Sequence, residues 1–243
     1  MKKRIAGLLS LLLLGMLSIP KAAMACDSCW GAISAKQWFP TLSPGGGLAS
    51  TNGNTEMVAF IVGHGKVYFN MGVNVASEFS DPSYPFNTLR HSQASFNFGY
   101  FVTPEISLAL GLKNQQDFFK NTQGAEVRPT GSLSMQTLGV SYAHRIEDMP
   151  ISINGNIAYG SASLSTARGE GAQFTGTTSG SSTYIGYEMG VGYPVTKNIT
   201  LSLGYRSEQY DQLVPTSISG TLVTVAPQKI KMGGFTGGVS ASF

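Results

Sequence analysis

The sequence predicts an all-β protein, and within that class a closed antiparallel up-and-down transmembrane β-barrel of eight strands. Three observations lead to this prediction. Eight segments alternate apolar residues with small or polar residues at the two-residue period of a strand. The connections between these segments alternate between short and long. Only 12% of the residues are charged, whereas a typical soluble domain carries about 25%, so the chain has few side chains with which to cover a water-facing exterior.

A targeting segment precedes the strands. Residues 1–4 are a positively charged n-region, residues 5–19 are an apolar run, and Ala23-Met24-Ala25 is a small-x-small cleavage site, so residues 1–25 are predicted to be a secretory signal peptide. The apolar run is shorter than the roughly 20 residues that a membrane-spanning helix needs. A secreted chain without a membrane helix is therefore expected.

The positive charge of the full chain belongs to that targeting segment. The chain has 16 Lys and Arg against 13 Asp and Glu, and subtracting the four basic residues of the signal peptide leaves 12 against 13. The mature chain is therefore close to neutral. It gives no support for a nucleic-acid partner, which a basic patch would recruit.

The eight predicted strands are each about 10 to 15 residues long, the length that a tilted strand needs to span a bilayer and project beyond it. They are residues 66–78, 91–102, 105–118, 133–145, 151–163, 182–195, 199–211 and 229–243.

The connections predict two different rims. Those of the first kind are short, at residues 103–105, 146–150 and 194–198. Those of the second kind are long and rich in Gly, Pro, Ser, Thr and Asn, at residues 80–90, 119–132, 164–181 and 212–228. This alternation is typical of a barrel whose short turns face the periplasm and whose long loops face the outside.

The composition of the two strand faces predicts which one faces lipid. In one strand, Leu201, Leu203 and Tyr205 alternate with Ser202 and Gly204. If the apolar face pointed inward, glycine and serine would form the water-facing exterior and leave backbone uncovered. We therefore expect the apolar face to contact lipid and the small residues to fill a narrow lumen.

A charge network is predicted inside that lumen. Pairing across the turn at residues 194–198 is expected to make Glu188 and Arg206 diagonal neighbours on the inner face, where they can form an ion pair. Lys113 lies on the inner face of its own strand and can join them. The favoured interpretation is a structural network that closes the pore, and the alternative is a gate or a binding site.

Residues 26–65 are predicted to form a separate N-terminal segment, periplasmic or folded into the lumen, with a Gly-rich linker at residues 41–56. The barrel domain is then residues 66–243. Residues 57–62 are nevertheless apolar enough to be a strand. Because both chain ends are expected on the periplasmic side, a further strand requires a companion, for which residues 32–39 are suitable. Ten strands are therefore the alternative to eight.

The only two cysteines, Cys26 and Cys29, directly follow the predicted cleavage site. In an oxidising compartment, two thiols this close are expected to form a disulfide, and lipidation of Cys26 is the alternative. Haem attachment would need a histidine where Trp30 stands, and a single pair is weak support for zinc. No cofactor and no metal site are predicted.

Catalysis finds little support in the residue pattern. His64, His91 and His144 have no acid or serine at a motif spacing. The charged stretches at residues 168–171 and 206–211 are interpreted as solvated loops rather than as an active site on the outer rim. The chain is therefore predicted not to be an enzyme.

The signal peptide, the amphipathic strands, the alternating connections and a last strand that ends in Phe243 resemble the small outer-membrane β-barrels, a group that includes the OmpA transmembrane domain, OmpX and OmpW. The resemblance covers residues 66–243. It implies a place in the outer membrane of a Gram-negative-type bacterium, in contact with outer-membrane lipid. It also implies that the barrel-assembly machinery recognises Phe243 and Phe235 in the last strand.

The function expected from these observations is a structural or surface-interaction role through four exposed loops. The alternative is a channel or transporter for small apolar solutes that leave sideways into the bilayer, as the resemblance to OmpW implies. A lumen filled by charged pairs would favour the structural role. An apolar upper lumen with a lateral gap between strands would favour transport.

Overall fold

Ten long antiparallel strands close into a barrel in the computed structural model. The structure describes residues 28–44, 50–80, 88–120, 126–129, 133–164, 167–168, 173–176, 180–219 and 222–243. The barrel strands are β1 (Cys29–Pro44), β2 (Thr55–His64), β3 (Val67–Ser80), β4 (Thr88–Phe101), β5 (Ile106–Lys120), β6 (Leu133–Arg145), β7 (Ser152–Leu164), β8 (Gly180–Pro194), β9 (Ile199–Ser219) and β10 (Leu222–Ser242).

Hydrogen-bonded ladders join every strand to the next one along the chain and join β10 back to β1. The closing ladder runs from the pair Ala32↔Ser242 to the pair Pro44↔Ile230. Four short strands, Thr51–Asn52, Glu126–Pro129, Ala167–Arg168 and Gln173–Gly176, extend the sheet at one end. Among the residues that the structure describes, no helix is long and apolar enough to cross a bilayer.

The strand count corrects the expectation of eight and confirms the alternative of ten. The two additional strands are β1 and β2, so Cys29–Pro44 and Thr55–His64 are part of the barrel, which begins at Cys29 rather than at residue 66. The alternation in β1 is less clear than in the other strands, because the large Trp38 is buried in the lumen while the polar Gln37 has the same outward parity as the exposed Phe39. Residues 1–25, the predicted signal peptide, lie outside the described residues.

The predicted orientation of the two strand faces is confirmed. Apolar side chains such as Phe98, Leu110 and Leu203 are 60%, 65% and 69% exposed on the outer wall. Their neighbours along each strand are small or polar and point inward. The apolar side chains form a continuous band around the barrel, which we call the apolar belt.

One end of the barrel carries only short turns, at residues 65–66, 102–105, 146–151 and 195–198. We call it the short-turn end and the other the long-loop end. Gly65 and Asp148 take positive φ values of 56° and 65° in two of these turns. Cys29 begins and Ser242 ends the barrel at this same end, as an even strand number requires.

The connection between β9 and β10 differs from the predicted long loop at residues 212–228. Both strands are 21 residues long and pair as far as Ser219↔Leu222. Pro215 and Pro227 look like loop signals in the sequence. In an antiparallel ladder, hydrogen-bonded pairs alternate with pairs that are not hydrogen-bonded. Counting from the hydrogen-bonded pair of Asn198 and Ser242 places Pro215 and Pro227 in pairs of the second kind. Their missing N–H groups therefore interrupt no hydrogen bond of this ladder.

Candidate functional site

Five charged side chains meet on the inner wall of the barrel. Lys36 comes from β1, Lys113 from β5, Glu188 from β8, and Arg206 and Glu208 from β9. We call them the luminal ion network. Four of them have a small inward-facing residue two positions earlier on the same strand, which leaves room for a long side chain across the lumen. These small residues are Ser34, Gly111, Gly186 and Gly204.

Glu208 is the most buried member of the network, with 1% of its surface exposed. Its Oε1 accepts hydrogen bonds from Lys113 Nζ at 2.8 Å and from Arg206 Nε at 3.1 Å. Its Oε2 accepts one from Gln93 Nε2 at 3.2 Å. Both oxygens of this buried carboxylate are therefore paired, which a charge removed from water requires.

Lys113 links this carboxylate to the neighbouring strand β8. Its ammonium group also donates to Tyr184 Oη at 2.6 Å, and its Nζ lies 4.3 Å from the centre of the Tyr184 ring. Only 8% of the Lys113 surface is exposed. The lysine is therefore held between an acid and a phenol, with little freedom to move.

Arg206 connects the two acids of the network. Its Nη1 lies 3.8 Å from Glu188 Oε2, and its Nη2 donates to Gln93 Oε1 at 3.3 Å. The guanidinium carbon lies 5.2 Å from the centre of the Trp38 ring, within the range of a cation–π contact. Asn74 Nδ2 donates to the same Gln93 oxygen at 2.9 Å, which ties β3 and β4 to the network.

Glu188 also forms an ion pair with Lys36 of β1. It lies directly opposite Arg206 in the β8–β9 ladder, which corrects the predicted diagonal arrangement. The register is set by the hydrogen bond from Val195 N to Ile199 O at 2.8 Å, which shifts the pairing by two residues from the predicted one. The ion pair predicted between the two residues is nevertheless present.

Beyond the network, toward the long-loop end, the lumen is filled by apolar side chains. We call this set the apolar layer. Its members are between 0% and 3% exposed: Trp38, Leu42, Leu133, Met135, Tyr210, Ile230 and Met232. Thr55, His91 and Gln115 are fully buried in the same half, and each of them takes part in an interaction.

On the other side of the network lies a polar cavity of about 290 Å³. Its wall is made of small hydroxyl and amide side chains, including Ser34, Asn70, Asn97, Thr137 and Asn156, together with all five members of the luminal ion network. The network therefore lies at the boundary between a polar half and a densely packed apolar half of the lumen.

The structure brings the three predicted network residues together, but their interaction partners differ from the predicted ones. Lys113 contacts Glu208 rather than Glu188. Lys36 and Glu208 were missed by the sequence reasoning. Residues 206–211 are part of β9 and not the solvated loop that their charges suggested, and Glu208 has the same inward parity as Arg206.

The other predicted site residues lie at the short-turn end or on the outer wall. Cys29 begins β1 and is disulfide-bonded, whereas Cys26 lies outside the described residues, so their pairing stays a prediction. Phe243 stacks on Phe60 with ring centres 6.5 Å apart. Phe235 points outward from β10 and is 72% exposed.

The ladder between β8 and β9 ends while both strands continue toward the long-loop end. Its last pair is Ile185↔Gln209. Beyond it, Ser182 Oγ accepts a hydrogen bond from Asp211 N at 2.7 Å and lies 3.1 Å from Asp211 Oδ2. We call this place the β8–β9 seam. It lies just past the apolar belt, where the outward residues of β8 change from Ile185 to the polar Thr183.

A closed up-and-down barrel with a belt of exposed apolar side chains around its outer wall is an integral membrane β-barrel. The sequence matches the family described as "outer membrane protein beta-barrel domain" over residues 9–243, and the chain belongs to that family. The resemblance to small outer-membrane β-barrels is thereby confirmed. The protein is located in the outer membrane, so the short-turn end faces the periplasm and the long-loop end faces the outside.

Several solved structures are similar to this chain. Neisserial surface protein A is 14% identical with a TM-score of 0.36, covering 88% of this chain and 97% of that one. Outer membrane protease OmpT from Escherichia coli is 11% identical with a TM-score of 0.45, covering 89% and 97%. The attachment invasion locus protein Ail of Yersinia pestis is 10% identical with a TM-score of 0.32, covering 88% and 98%. These low values support no inference about function. No curated protein sequence matches this chain.

Proposed function

We propose that this protein is a non-enzymatic outer-membrane barrel with a closed lumen and a structural or surface-interaction role. The observation that carries the proposal is the filling of the lumen at two successive levels. The luminal ion network joins β1, β5, β8 and β9 across the interior, and the apolar layer fills the space beyond it. A solute would have to break paired buried charges and displace packed side chains in turn.

The surface-interaction part of the proposal is supported by the length of β9 and β10. Each has 21 residues, whereas a membrane-spanning strand needs only about 9 to 11. The hairpin extends ten residues of β9 past the last pair with β8. Such a projection can present side chains beyond the membrane surface.

Conductance tests the closed lumen directly. We expect the refolded mature protein in a planar bilayer with 1 M KCl to show no steady single-channel current. A variant that replaces residues 212–228 with a two-residue turn should be equally silent, because the filling lies below the hairpin. A stable ohmic current from the unaltered protein would contradict the proposal.

The surface role is tested in cells that lack the gene. The unaltered protein should restore tolerance to detergent or attachment to a surface, whichever the deletion impairs, whereas the hairpin-shortened variant should not. Its amount and heat-modifiable migration must equal those of the unaltered protein. If the shortened variant restores the phenotype fully, the hairpin has no surface role.

As partners we propose outer-membrane lipid and the barrel-assembly machinery, and no nucleic acid. Recognition by the machinery is proposed for Phe243 and Phe235. Deleting Phe243 should slow insertion in cells but leave spontaneous folding into short-chain lipid vesicles unchanged. Equal slowing in both settings would mean that Phe243 acts by packing against Phe60 rather than as a signal.

The β8–β9 seam and the apolar layer favour a second candidate function, passage of small apolar solutes. At the seam, the ladder between β8 and β9 is interrupted next to the apolar layer, and the hydrogen bonds between Ser182 and Asp211 close the gap. A disulfide between S182C and D211C should then abolish uptake of an apolar solute, reversibly on reduction. The matched disulfide between S134C and S163C, which pair in the β6–β7 ladder, should not. Equal uptake in both would exclude the seam.

A further inference from the structure

The outer wall formed by β7 to β10 carries an apolar groove at the level of the membrane. Its volume is about 620 Å³. The side chains that line it from the outside are Ile153, Met189, Val191, Leu203, Tyr205 and Phe235. A groove of this composition, open to the bilayer, fits hydrocarbon chains.

Two aromatic rings, Tyr205 and Phe235, line the groove toward the outer side of the membrane, and Tyr187 lies beside them. Tyr205 lies between Tyr187 and Phe235, with ring centres 6.3 Å and 5.8 Å apart. A Cβ atom at Gly233 would lie only 2.6 Å from Tyr205 Oη, so the missing side chain there makes room for the phenol across β10. The Tyr205 hydroxyl therefore lies at the upper end of the groove, where an amphipathic ring meets the polar boundary of the membrane.

Two lysines follow directly above the groove on the same strand. The outward positions of β10 after Phe235 and Gly233 are Lys231 and Lys229, and both lysines are exposed. Four residues of strand separate Lys231 from Phe235, a distance of about 13 Å. Neither lysine forms an ion pair with any residue in the described part of the chain.

The neighbours of these lysines are mostly neutral. Lys231 stands opposite Gln209 on β9 and Ser43 on β1. Lys229 stands opposite Asp211, whose carboxylate is already near Ser182 Oγ at 3.1 Å. Two ammonium groups therefore face the lipid headgroup region with one acid beside them.

We propose that this wall binds a phosphorylated glycolipid of the outer leaflet, with an acyl chain in the groove and a headgroup phosphate on Lys231 and Lys229. The groove, the Tyr205 hydroxyl and the two lysines lie on one face of the barrel. They follow each other in the order that such an amphiphile requires, with the hydrocarbon site below, the phenol at the membrane boundary and the cations above. Electrostatic attraction to an anionic headgroup adds about 1 kcal/mol per lysine near the membrane surface. The proposal does not depend on whether the lumen conducts.

Native mass spectrometry of the detergent-solubilised mature protein, titrated with purified lipid A, tests the proposal. We expect each of K231Q and K229Q to weaken the first lipid adduct by about fivefold, and the double variant by more. The matched control is K66Q/K197Q, which removes two exposed lysines from the short-turn end and should bind like the unaltered protein. Heat-modifiable migration confirms that each variant is folded.

Two further titrations distinguish the contribution of the headgroup phosphate from that of the rest of the lipid. Dephosphorylated lipid A should bind equally to the unaltered protein and to K229Q/K231Q, because its headgroup lacks the anion. Phosphatidylglycerol, which has a phosphate but a small headgroup and two chains, should show a smaller loss than lipid A. Equal weakening by K66Q/K197Q and K229Q/K231Q, or no weakening by the latter, would overturn the proposal.

Discussion

The two halves of the barrel interior are filled by opposite chemistry, although the same ten strands form both. Toward the short-turn end, serine, threonine and asparagine side chains surround a cavity of about 290 Å³. Toward the long-loop end, large apolar side chains such as Trp38 and Met232 are fully buried. Five charged groups lie between the halves. The paired charges therefore border the polar half, and the closely packed apolar side chains fill the half nearer the outside of the cell.

The two levels of filling are expected to respond differently to substitution. A buried ion pair fails when one partner is removed, because the remaining charge is left without compensation. A packed apolar layer fails when side-chain volume is removed, because a void remains. Substitutions in the two sets therefore distinguish the mechanisms, and the largest effect is expected at the most buried charge.

Glu208 is that charge, and we expect Glu208→Ala to give the largest loss of stability, about 3 to 5 kcal/mol of the free energy of unfolding. The substitution leaves Lys113 and Arg206 facing each other without the carboxylate between them. Urea unfolding of the protein in lipid vesicles, followed by tryptophan fluorescence, measures the change. E147A, in an exposed short turn, is the matched control and should stay within about 0.5 kcal/mol. A loss below 1 kcal/mol for Glu208→Ala would show that the network does not stabilise the barrel.

The outer wall could be predicted from the sequence because hydrocarbon imposes one rule on every outward residue. Strands β3 to β8 follow that rule over the apolar belt, as Phe98 and Leu110 illustrate. The first strand follows it less clearly, since the polar Gln37 has outward parity and the large Trp38 faces the lumen. A strand whose inward residues are as large as its outward ones lacks the contrast on which period-two reasoning depends.

The candidate site could be predicted only in part. The alternation along a strand assigns a residue to the inner or outer face, but it does not give the residue's position along the barrel axis. Lys113, Glu188 and Arg206 were assigned to the inner face by parity alone. Their actual partners depend on the register, which the turn at residues 195–198 fixes and the sequence does not show. Glu208 had the correct parity, but its charged neighbourhood looked like a loop. Lys36 lies on β1, which the prediction of eight strands did not include.

Substitution of Trp38 tests how much the apolar layer contributes to stability. We expect Trp38→Ala to lower the free energy of unfolding by about 3 kcal/mol, because it leaves a large void in the apolar layer. Trp38→Phe is the matched control and should be nearly neutral, since the indole Nε1 has no hydrogen-bond partner among the residues that the structure describes and its loss leaves none of them unpaired. The measurement is the same urea unfolding, followed by circular dichroism because the substitution removes one of the two tryptophans that give the fluorescence signal.

The void left by Trp38→Ala is not expected to open a pore on its own. The luminal ion network remains intact below it, so single-channel current should stay absent in 1 M KCl. Combining Trp38→Ala with E188Q/R206Q weakens both levels at once, because it also breaks the ion pairs of Glu188 and Arg206, and should produce current. Current from Trp38→Ala alone would mean that the apolar layer is the only barrier.

The smallest effect is expected at Lys36, which marks the polar side of the boundary. Its side chain is 28% exposed and lines the cavity, and Glu188 keeps Arg206 as a second partner at 3.8 Å. Lys36→Met preserves most of the aliphatic stem and should lower the free energy of unfolding by no more than about 1 kcal/mol, because water screens a partly exposed pair. Raising KCl from 0.1 M to 1 M should shrink this difference, since the Debye length falls from about 10 Å to about 3 Å, and should leave the Glu208→Ala difference unchanged. If Lys36→Met proved as costly as Glu208→Ala and equally insensitive to salt, the polar half would be as dry as the apolar half, and the contrast between them would be one of composition rather than of hydration.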